Sequence, residues 1–97
     1  MTEQGIIRNA KKYKEELIVE GYTAQKMDEH HYVSLPEDLN ILKRHTVWMC
    51  DQILAFIVQG HRDLAIMWYG CLQMALICMG EHSIEEQRSD NVEGIST

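Results

Sequence analysis

The stretch Leu64-Ala-Ile-Met-Trp-Tyr-Gly-Cys-Leu-Gln-Met-Ala-Leu-Ile-Cys-Met79 contains no charged residue, and only Gly70 and Gln73 interrupt its apolar character. A helix that is apolar on every side must be covered on every side. A single domain of this size, 97 residues, buries only about two thirds of the surface that its unfolded chain exposes. We therefore expect part of the surface of this stretch to contact another protein.

A helix is predicted on each side of the turn that precedes this stretch. Residues 35–59 begin with a capping box, Ser34 with Glu37, and carry the only proline, Pro36, in the first turn, where its missing N–H costs nothing. Residues 62–79 follow after Gly60, and so short a link requires the two helices to lie antiparallel. Steps of three and four define the predicted buried stripe of the earlier helix: Leu39, Leu42, Thr46, Met49, Ile53 and Phe56.

An amphipathic first helix is predicted over residues 6–20, because Ile6, Ala10, Tyr13 and Leu17 recur at helical steps among lysines and glutamates. Gly21 is well placed to end it in a left-handed cap. The fold class is therefore all-α: one three-helix domain over residues 1–82, built on the antiparallel hairpin. Residues 83–97 are predicted to form a short helical turn and a flexible acidic tail.

The third helix is predicted to turn one stripe toward the second helix: Leu64, Trp68, Cys71, Ala75 and Cys78. The opposite strip should carry charge in a self-sufficient bundle, but it does not. Most methionines are expected to fill the core, although methionine also suits surfaces that adapt to a partner. The predicted partner-binding residues lie on that outer strip and on the flank of the second helix: Trp48, Ile66, Tyr69, Gln73 and Ile77.

Composition favours a soluble binding protein. The 15 acidic and 9 basic residues give a net charge of −6, so no basic face for direct nucleic-acid binding is expected. The acids are scattered, which disfavours mimicry of DNA charge. Three cysteines without a short spacing, Cys50, Cys71 and Cys78, predict free buried thiols in a reducing cytoplasm. The N-terminus lacks signal-peptide character, and the apolar stretch is shorter than the ~20 residues that span a bilayer.

No residue pattern predicts an enzyme, a metal site or a cofactor. His30 and His31 beside Asp28 and Glu29 lack partners at ligand spacing. The sequence has no local signature of a nucleophile paired with a histidine, of a phosphate-binding glycine loop or of a zinc protease. The Leu35-Pro36 bond is the one peptide bond with cis and trans forms close in energy. It either starts a helix as a trans proline or serves as a site for a prolyl isomerase.

The chain resembles the anti-RecBCD proteins of lambdoid phages, in particular the second of the two Abc types. The overall length, the lone proline in Val33-Ser34-Leu35-Pro36-Glu37-Asp38 and the text of residues 48–79 carry the resemblance. It implies a non-enzymatic phage protein in the host cytoplasm that binds the RecBCD helicase-nuclease through RecC. The implied role is to modulate RecBCD, near where RecC recognises Chi, in favour of phage recombination and protection of phage DNA.

The resemblance also implies a host prolyl isomerase that engages Pro36, and it carries over no catalytic or ligand residue. Two alternatives stay open beside it. One is a self-associating helical module, such as a homodimer in which the third helices pack on each other. The other is a small membrane protein of the holin type.

Overall fold

Four helices make up the computed structural model, which describes residues 2–28 and 38–96, with side chains as far as residue 92. They are α1 (Glu3–Val19), α2 (Leu39–Val58), α3 (Arg62–Cys78) and α4 (Ile84–Ser96). Helices α2 and α3 form the hairpin, α1 packs against both of them, and α4 packs on α1. The all-α prediction is confirmed, with one helix more than expected.

Helix α1 follows its sequence pattern closely. Ile6, Ala10 and Tyr13 are fully buried and Leu17 is nearly so. The helix begins three residues before the predicted start because the side chain of Thr2 accepts a hydrogen bond from the Gly5 N–H at 3.0 Å. Gly21 ends the helix with a φ of 104°, the left-handed conformation expected of it.

Helix α2 begins later than predicted. Asp38 has an extended backbone and its side chain accepts a hydrogen bond from the Asn40 N–H at 2.9 Å. The prediction that Ser34 caps this helix is therefore wrong, because the helix starts four residues further along, at Leu39, and Asp38 supplies the cap. The Leu35-Pro36 bond lies outside the described residues. Gly60 closes the helix with a φ of 81°, as predicted.

The core lies where α1, α2 and α3 meet. Its largest fully buried apolar side chains come from all three helices: Ile6, Tyr13, Leu17, Val47, Ile53, Leu72 and Leu76. Covering so much apolar surface from three directions is the main favourable contribution to the stability of the fold. The predicted α2 stripe is buried at Leu42, Thr46, Met49 and Ile53, whereas Leu39 is 46% exposed.

Helix α3 is rotated from the predicted orientation. Its buried residues are Ala65, Tyr69, Leu72 and Leu76, and each follows by one position a residue that was predicted to face α2. Leu64, Cys71 and Cys78 are instead exposed. Trp68 keeps the predicted contact with α2, through Trp48 and Phe56. The prediction was wrong for the exposed residues because a stretch that is apolar all round has no polar side to fix its phase.

Residues 84–96 form one continuous helix, where only a short helical turn followed by a flexible tail was predicted. Helix α4 buries Gln87 and Asp90, which are 5% and 6% exposed, while its apolar residues Ile84 and Val92 stay exposed. Apolar periodicity does not predict such a helix, because polar side chains hold it in place. Across the described residues, none of the helices has the combination of length and apolar character that crossing a membrane requires.

Candidate docking face

Helix α3 turns an apolar surface to the solvent. Leu64 and Ile66 are 38% and 43% exposed, and Met67 and Met74 are each 59% exposed. No residue between Asp63 and Glu81 carries a charge. We call the exposed side chains of this surface the α3 face: Leu64, Ile66, Met67, Cys71, Met74 and Cys78. Single exposed apolar residues are common, but several adjoining ones on one helix make the α3 face a candidate docking surface.

An open groove runs along the α3 face where it meets α2. Two neighbouring depressions of about 400 Å³ and 490 Å³ share Met67 and Cys71 in their walls. The two depressions adjoin at these residues, and together we call them the α2/α3 furrow. Its described lining residues are Lys26, Leu42, His45, Trp48, Met49, Met67, Trp68, Gly70, Cys71, Met74, Ala75 and Cys78.

Aromatic rings form one end of the furrow. The ring centroids of Trp48 and Trp68 are 5.6 Å apart, and those of Phe56 and Trp68 are 5.3 Å apart with the rings nearly perpendicular. The Nζ atom of Lys26 lies 5.5 Å from the ring of Trp48. Edge-to-face and tilted contacts at these distances are favourable. They give the furrow a fixed apolar edge with one cation beside it.

His45 joins the segment before α2 to the furrow. This residue is buried, and its Nδ1 atom accepts a hydrogen bond from the Met27 N–H at 3.2 Å. Burial lowers the pKa of His45, and the positive charge of Lys26 lowers it further. The neutral ring is thus the form that holds Met27 at neutral pH.

The structure separates the five predicted partner-binding residues. Ile66 is exposed on the α3 face, Ile77 is half-buried, and Trp48 is half-buried at the furrow. Their contact with a partner stays a prediction. The assignment of Tyr69 to the outer strip was wrong, because this side chain is only 5% exposed. Gln73 is half-buried and its Nε2 atom lies 2.6 Å from Gln87 Oε1, within the molecule.

The exposed sulfur residues of α3 were missed. Met67, Cys71, Met74 and Cys78 follow one another at steps of four, three and four and all line the furrow. That spacing is visible in the sequence, but an apolar stripe of equal regularity lies beside it on the helix, so the spacing alone did not identify the exposed side. The three cysteines are free, as predicted. Only Cys50 is buried, however, so the expectation of three buried thiols was wrong for the other two.

A buried polar cluster on the other side of α3 holds α4. The Tyr13 hydroxyl lies 2.8 Å from Asp90 Oδ2 and 3.1 Å from Gln87 Oε1. Lys12 Nζ lies 2.9 Å from Asp90 Oδ1. Tyr69 accepts a hydrogen bond from Asn9 Nδ2 at 2.9 Å. Burial raises the pKa of Tyr13, and its hydrogen bond to Asp90 raises it further. The phenol therefore stays neutral, and the cluster has the character of a structural contact.

Where the structure describes the chain, no group of three or more histidine, cysteine, aspartate or glutamate side chains is arranged to hold a metal ion. His30 and His31 lie outside the described residues. Burial raises the pKa of the Cys50 thiol to about 12, which leaves it protonated and unreactive at neutral pH.

Comparison with known proteins yields no relative: no family model, no curated protein and no solved structure matches the chain.

Proposed function

We propose that this protein acts by docking on a larger protein through the α3 face. The observation that carries the proposal is the charge-free, solvent-exposed surface of α3, with Met67 and Met74 each 59% exposed. Burying apolar surface on association contributes roughly 25 cal/mol per Å², so a partner that covers this face gains affinity. Methionines suit such a surface because their flexible side chains adapt to the partner's shape.

The partner that we propose is the host RecBCD enzyme, bound through its RecC subunit. The support is the resemblance of the chain to the phage anti-RecBCD proteins, carried by the lone proline region and by residues 48–79. An acidic protein is poorly suited to compete for DNA itself. We therefore propose that it acts on the enzyme in the host cytoplasm and shifts RecBCD from destruction of phage DNA toward recombination.

The experiment is a binding measurement between the purified full-length protein and immobilised RecBCD, with RecC alone in a parallel channel. The variants Met67→Glu and Met74→Glu place a charge on the α3 face and should weaken binding at least about tenfold, since a buried unpaired charge is strongly unfavourable. Val58→Glu is the matched control, because Val58 is 87% exposed at the end of α2 and outside the furrow. Far-ultraviolet circular dichroism should show that all three variants keep their helices.

Two results would overturn this proposal. One is the absence of binding to RecBCD at micromolar concentrations of the wild-type protein. The other is equal weakening by Val58→Glu and by the two methionine variants, which would show that any added negative charge disturbs the complex.

A second candidate function is self-association through the same face. An uncharged surface places no like charges in direct contact when two copies meet, although the net charge of −6 on each chain still repels at longer range. Sedimentation of the isolated protein separates the two candidates. A dimer that persists on dilution, and that Met67→Glu dissociates, favours self-association over docking on RecBCD.

The resemblance also supports a second host partner, a prolyl isomerase at the Leu35-Pro36 bond. Pro36→Ala removes the only proline. It should abolish capture of a purified isomerase while binding to RecBCD is retained. Equal isomerase binding by wild type and variant would contradict this part of the proposal.

A further inference from the structure

Gly70 lies in the middle of α3, where glycine is unfavourable. A helical glycine is destabilising by roughly 1 kcal/mol relative to alanine. Positive φ angles, which require glycine, occur at Gly21, Gly60 and Gly80. Gly70 does not have a positive φ angle. A Cβ atom added at Gly70 would meet nothing within 4 Å. The described part of the fold, residues 2–28 and 38–96, therefore gives no steric reason for glycine at this position.

Glycine at an exposed helix position lets the backbone of another molecule approach closely. Gly70 is exposed and lines the α2/α3 furrow. Met67 and Met74, three residues before it and four after it, flank it on the same face. Gly70 therefore leaves a depression in the surface of α3 between two flexible methionine side chains. A depression of this kind allows a second helix to cross α3 at close range, because close-packed helices approach to 8–10 Å between their axes.

The length of the furrow also fits a helix. From Met67 to Cys78, α3 rises by about 16 Å, or three helical turns. The floor is apolar along this length, with Leu42 from α2 and Ala75 from α3. Amphipathic helices bind such grooves through apolar residues on one face.

Charge distinguishes the two ends of the furrow. Among the described residues that line it, Lys26 alone carries a charge at neutral pH. It lies at the aromatic end, with Nζ 5.5 Å from the ring of Trp48. At the opposite end, the described lining residues, which include Met74 and Cys78, are uncharged. An acidic residue on the ligand would thus be stabilised at one end only, which sets the direction of binding.

We propose that the α2/α3 furrow receives an amphipathic α-helix of the partner, about three turns long, which crosses α3 at Gly70 and places an acidic side chain beside Lys26. This inference rests on the proposed docking function, since it specifies the element of the partner that the α3 face contacts.

The test uses the full-length protein and two synthetic helical peptides without tryptophan. Both carry leucines on one face, and they differ only in one residue near one end, glutamate or lysine. The two tryptophans of the protein, Trp48 and Trp68, both line the furrow and report binding by fluorescence. The glutamate peptide should bind about tenfold more tightly than the lysine peptide, and Lys26→Glu should reverse that preference. Lys11→Glu, on the exposed side of α1, is the charge-matched control.

Gly70→Leu tests the crossing point. The position is open, so the variant should fold as wild type by circular dichroism and yet bind the glutamate peptide at least tenfold more weakly. Val58→Leu is the control for a larger side chain outside the furrow. Binding of both peptides with equal affinity, or an unchanged affinity in Gly70→Leu, overturns the proposal.

The same variants distinguish this inference from the proposed function. If wild type binds RecBCD and neither Gly70→Leu nor Lys26→Glu changes the affinity, the helix in the furrow is refuted while docking on RecBCD stands. If RecBCD does not bind but the peptide preference reverses with Lys26→Glu, the furrow is a helix site and RecBCD is not its partner. A concentration-dependent tryptophan signal without peptide would show that a second copy occupies the furrow, which also overturns the inference.

Discussion

At the scale of single residues, Asp90 is the side chain with the most demanding environment. Its carboxylate is only 9% exposed, and an ionised group at such depth must be paired and hydrogen-bonded. Lys12 and Tyr13 supply those contacts at 2.9 Å and 2.8 Å. Lys12 is itself 47% exposed, so water screens much of its charge. The buried hydroxyl of Tyr13 is therefore the contact that solvent cannot easily replace.

Tyr13→Phe should consequently lower the free energy of unfolding by about 1–3 kcal/mol, the range for a buried polar group that loses its partner. Urea unfolding followed by circular dichroism measures the change. Tyr22→Phe is the matched control, because the Tyr22 hydroxyl donates to Asn40 Oδ1 at 2.7 Å in a solvent-exposed hydrogen bond. That variant should stay within about 0.5 kcal/mol of wild type. Equal losses in both variants would contradict the assigned role of Tyr13.

The cysteines should differ sharply in reactivity. Cys71 and Cys78 are exposed, whereas Cys50 is buried with its pKa raised to about 12. Because the thiolate is the reactive form, iodoacetamide at pH 8 should label two cysteines in the folded protein and all three in denaturant. Mass spectrometry of the labelled peptides identifies the sites. Rapid labelling of Cys50 in the folded protein would contradict its described burial.

His45 should make the protein less stable in mild acid. Burial lowers its pKa in the folded state below the ordinary value of 6.5, so the unfolded chain binds a proton more readily. The contribution of neutral His45 to stability is therefore fully present above about pH 6.5 and is lost as the pH falls through the lowered pKa. Protonated Nδ1 can also no longer accept the hydrogen bond from Met27.

Unfolding free energies at pH 7 and pH 5 measure this effect. His45→Asn keeps an acceptor near Nδ1 and does not titrate, so its stability should fall less over this range than that of wild type. The other residues are the same in both proteins, so their contributions cancel in the comparison. An identical decline in the two proteins would remove His45 as the cause.

At the scale of the helices, sequence patterns succeeded where polar and apolar residues alternate clearly. Helix α1 was predictable because its buried apolar positions recur at helical steps and most of the residues between them are charged or polar. The rotation of α3 about its own axis was not predictable, since no polar residue marks its outer side. Helix α4 could not be found from apolar periodicity, because its buried residues Gln87 and Asp90 are polar and contact Tyr13, more than 70 positions away.

Replacing each of two hairpin glycines by alanine should change the free energy of unfolding in opposite directions. Gly70 lies within α3 with open space around it, so Gly70→Ala should raise the free energy of unfolding by roughly 0.5–1 kcal/mol. Gly60 has a φ of 81°, so Gly60→Ala should lower it by about 1–2 kcal/mol. Thermal and urea unfolding measure both changes. Destabilisation by Gly70→Ala would show that the fold itself requires that glycine.

At the scale of the whole molecule, α3 separates two different surfaces. On one side, Tyr69 and Gln73 join the polar cluster that holds α4. On the other, Met67, Cys71 and Met74 line the furrow. That some apolar surface would remain uncovered followed from the length of the chain and from its charge-free stretch. Which residues form that surface depended on the rotation of α3, and hence on packing against two other helices.

The contribution of α4 to the whole molecule should be the sum of several modest terms, because its buried contacts are polar hydrogen bonds. When residues 84–97 are deleted, water can replace the hydrogen bonds to Tyr13, Tyr69 and Asn9. The net loss for exchanged hydrogen bonds is only about 0.5–1.5 kcal/mol each. The truncated protein should therefore stay folded with a lower urea midpoint. Since the furrow lies on the other side of α3, its affinity for the glutamate peptide should remain within about threefold of wild type.

A double-mutant cycle sharpens this prediction. Tyr13→Phe removes the buried hydroxyl that contacts the Asp90 carboxylate and leaves only the half-exposed Lys12 beside it. This loss occurs only while α4 is present, so the effect should be about 1–3 kcal/mol in the full chain and near zero in the truncated chain. The difference between the two values measures the coupling of Tyr13 to α4. An equal loss in both chains would mean that the Tyr13 hydroxyl stabilises the three-helix core directly. Residues 84–96 would then contribute little to the fold.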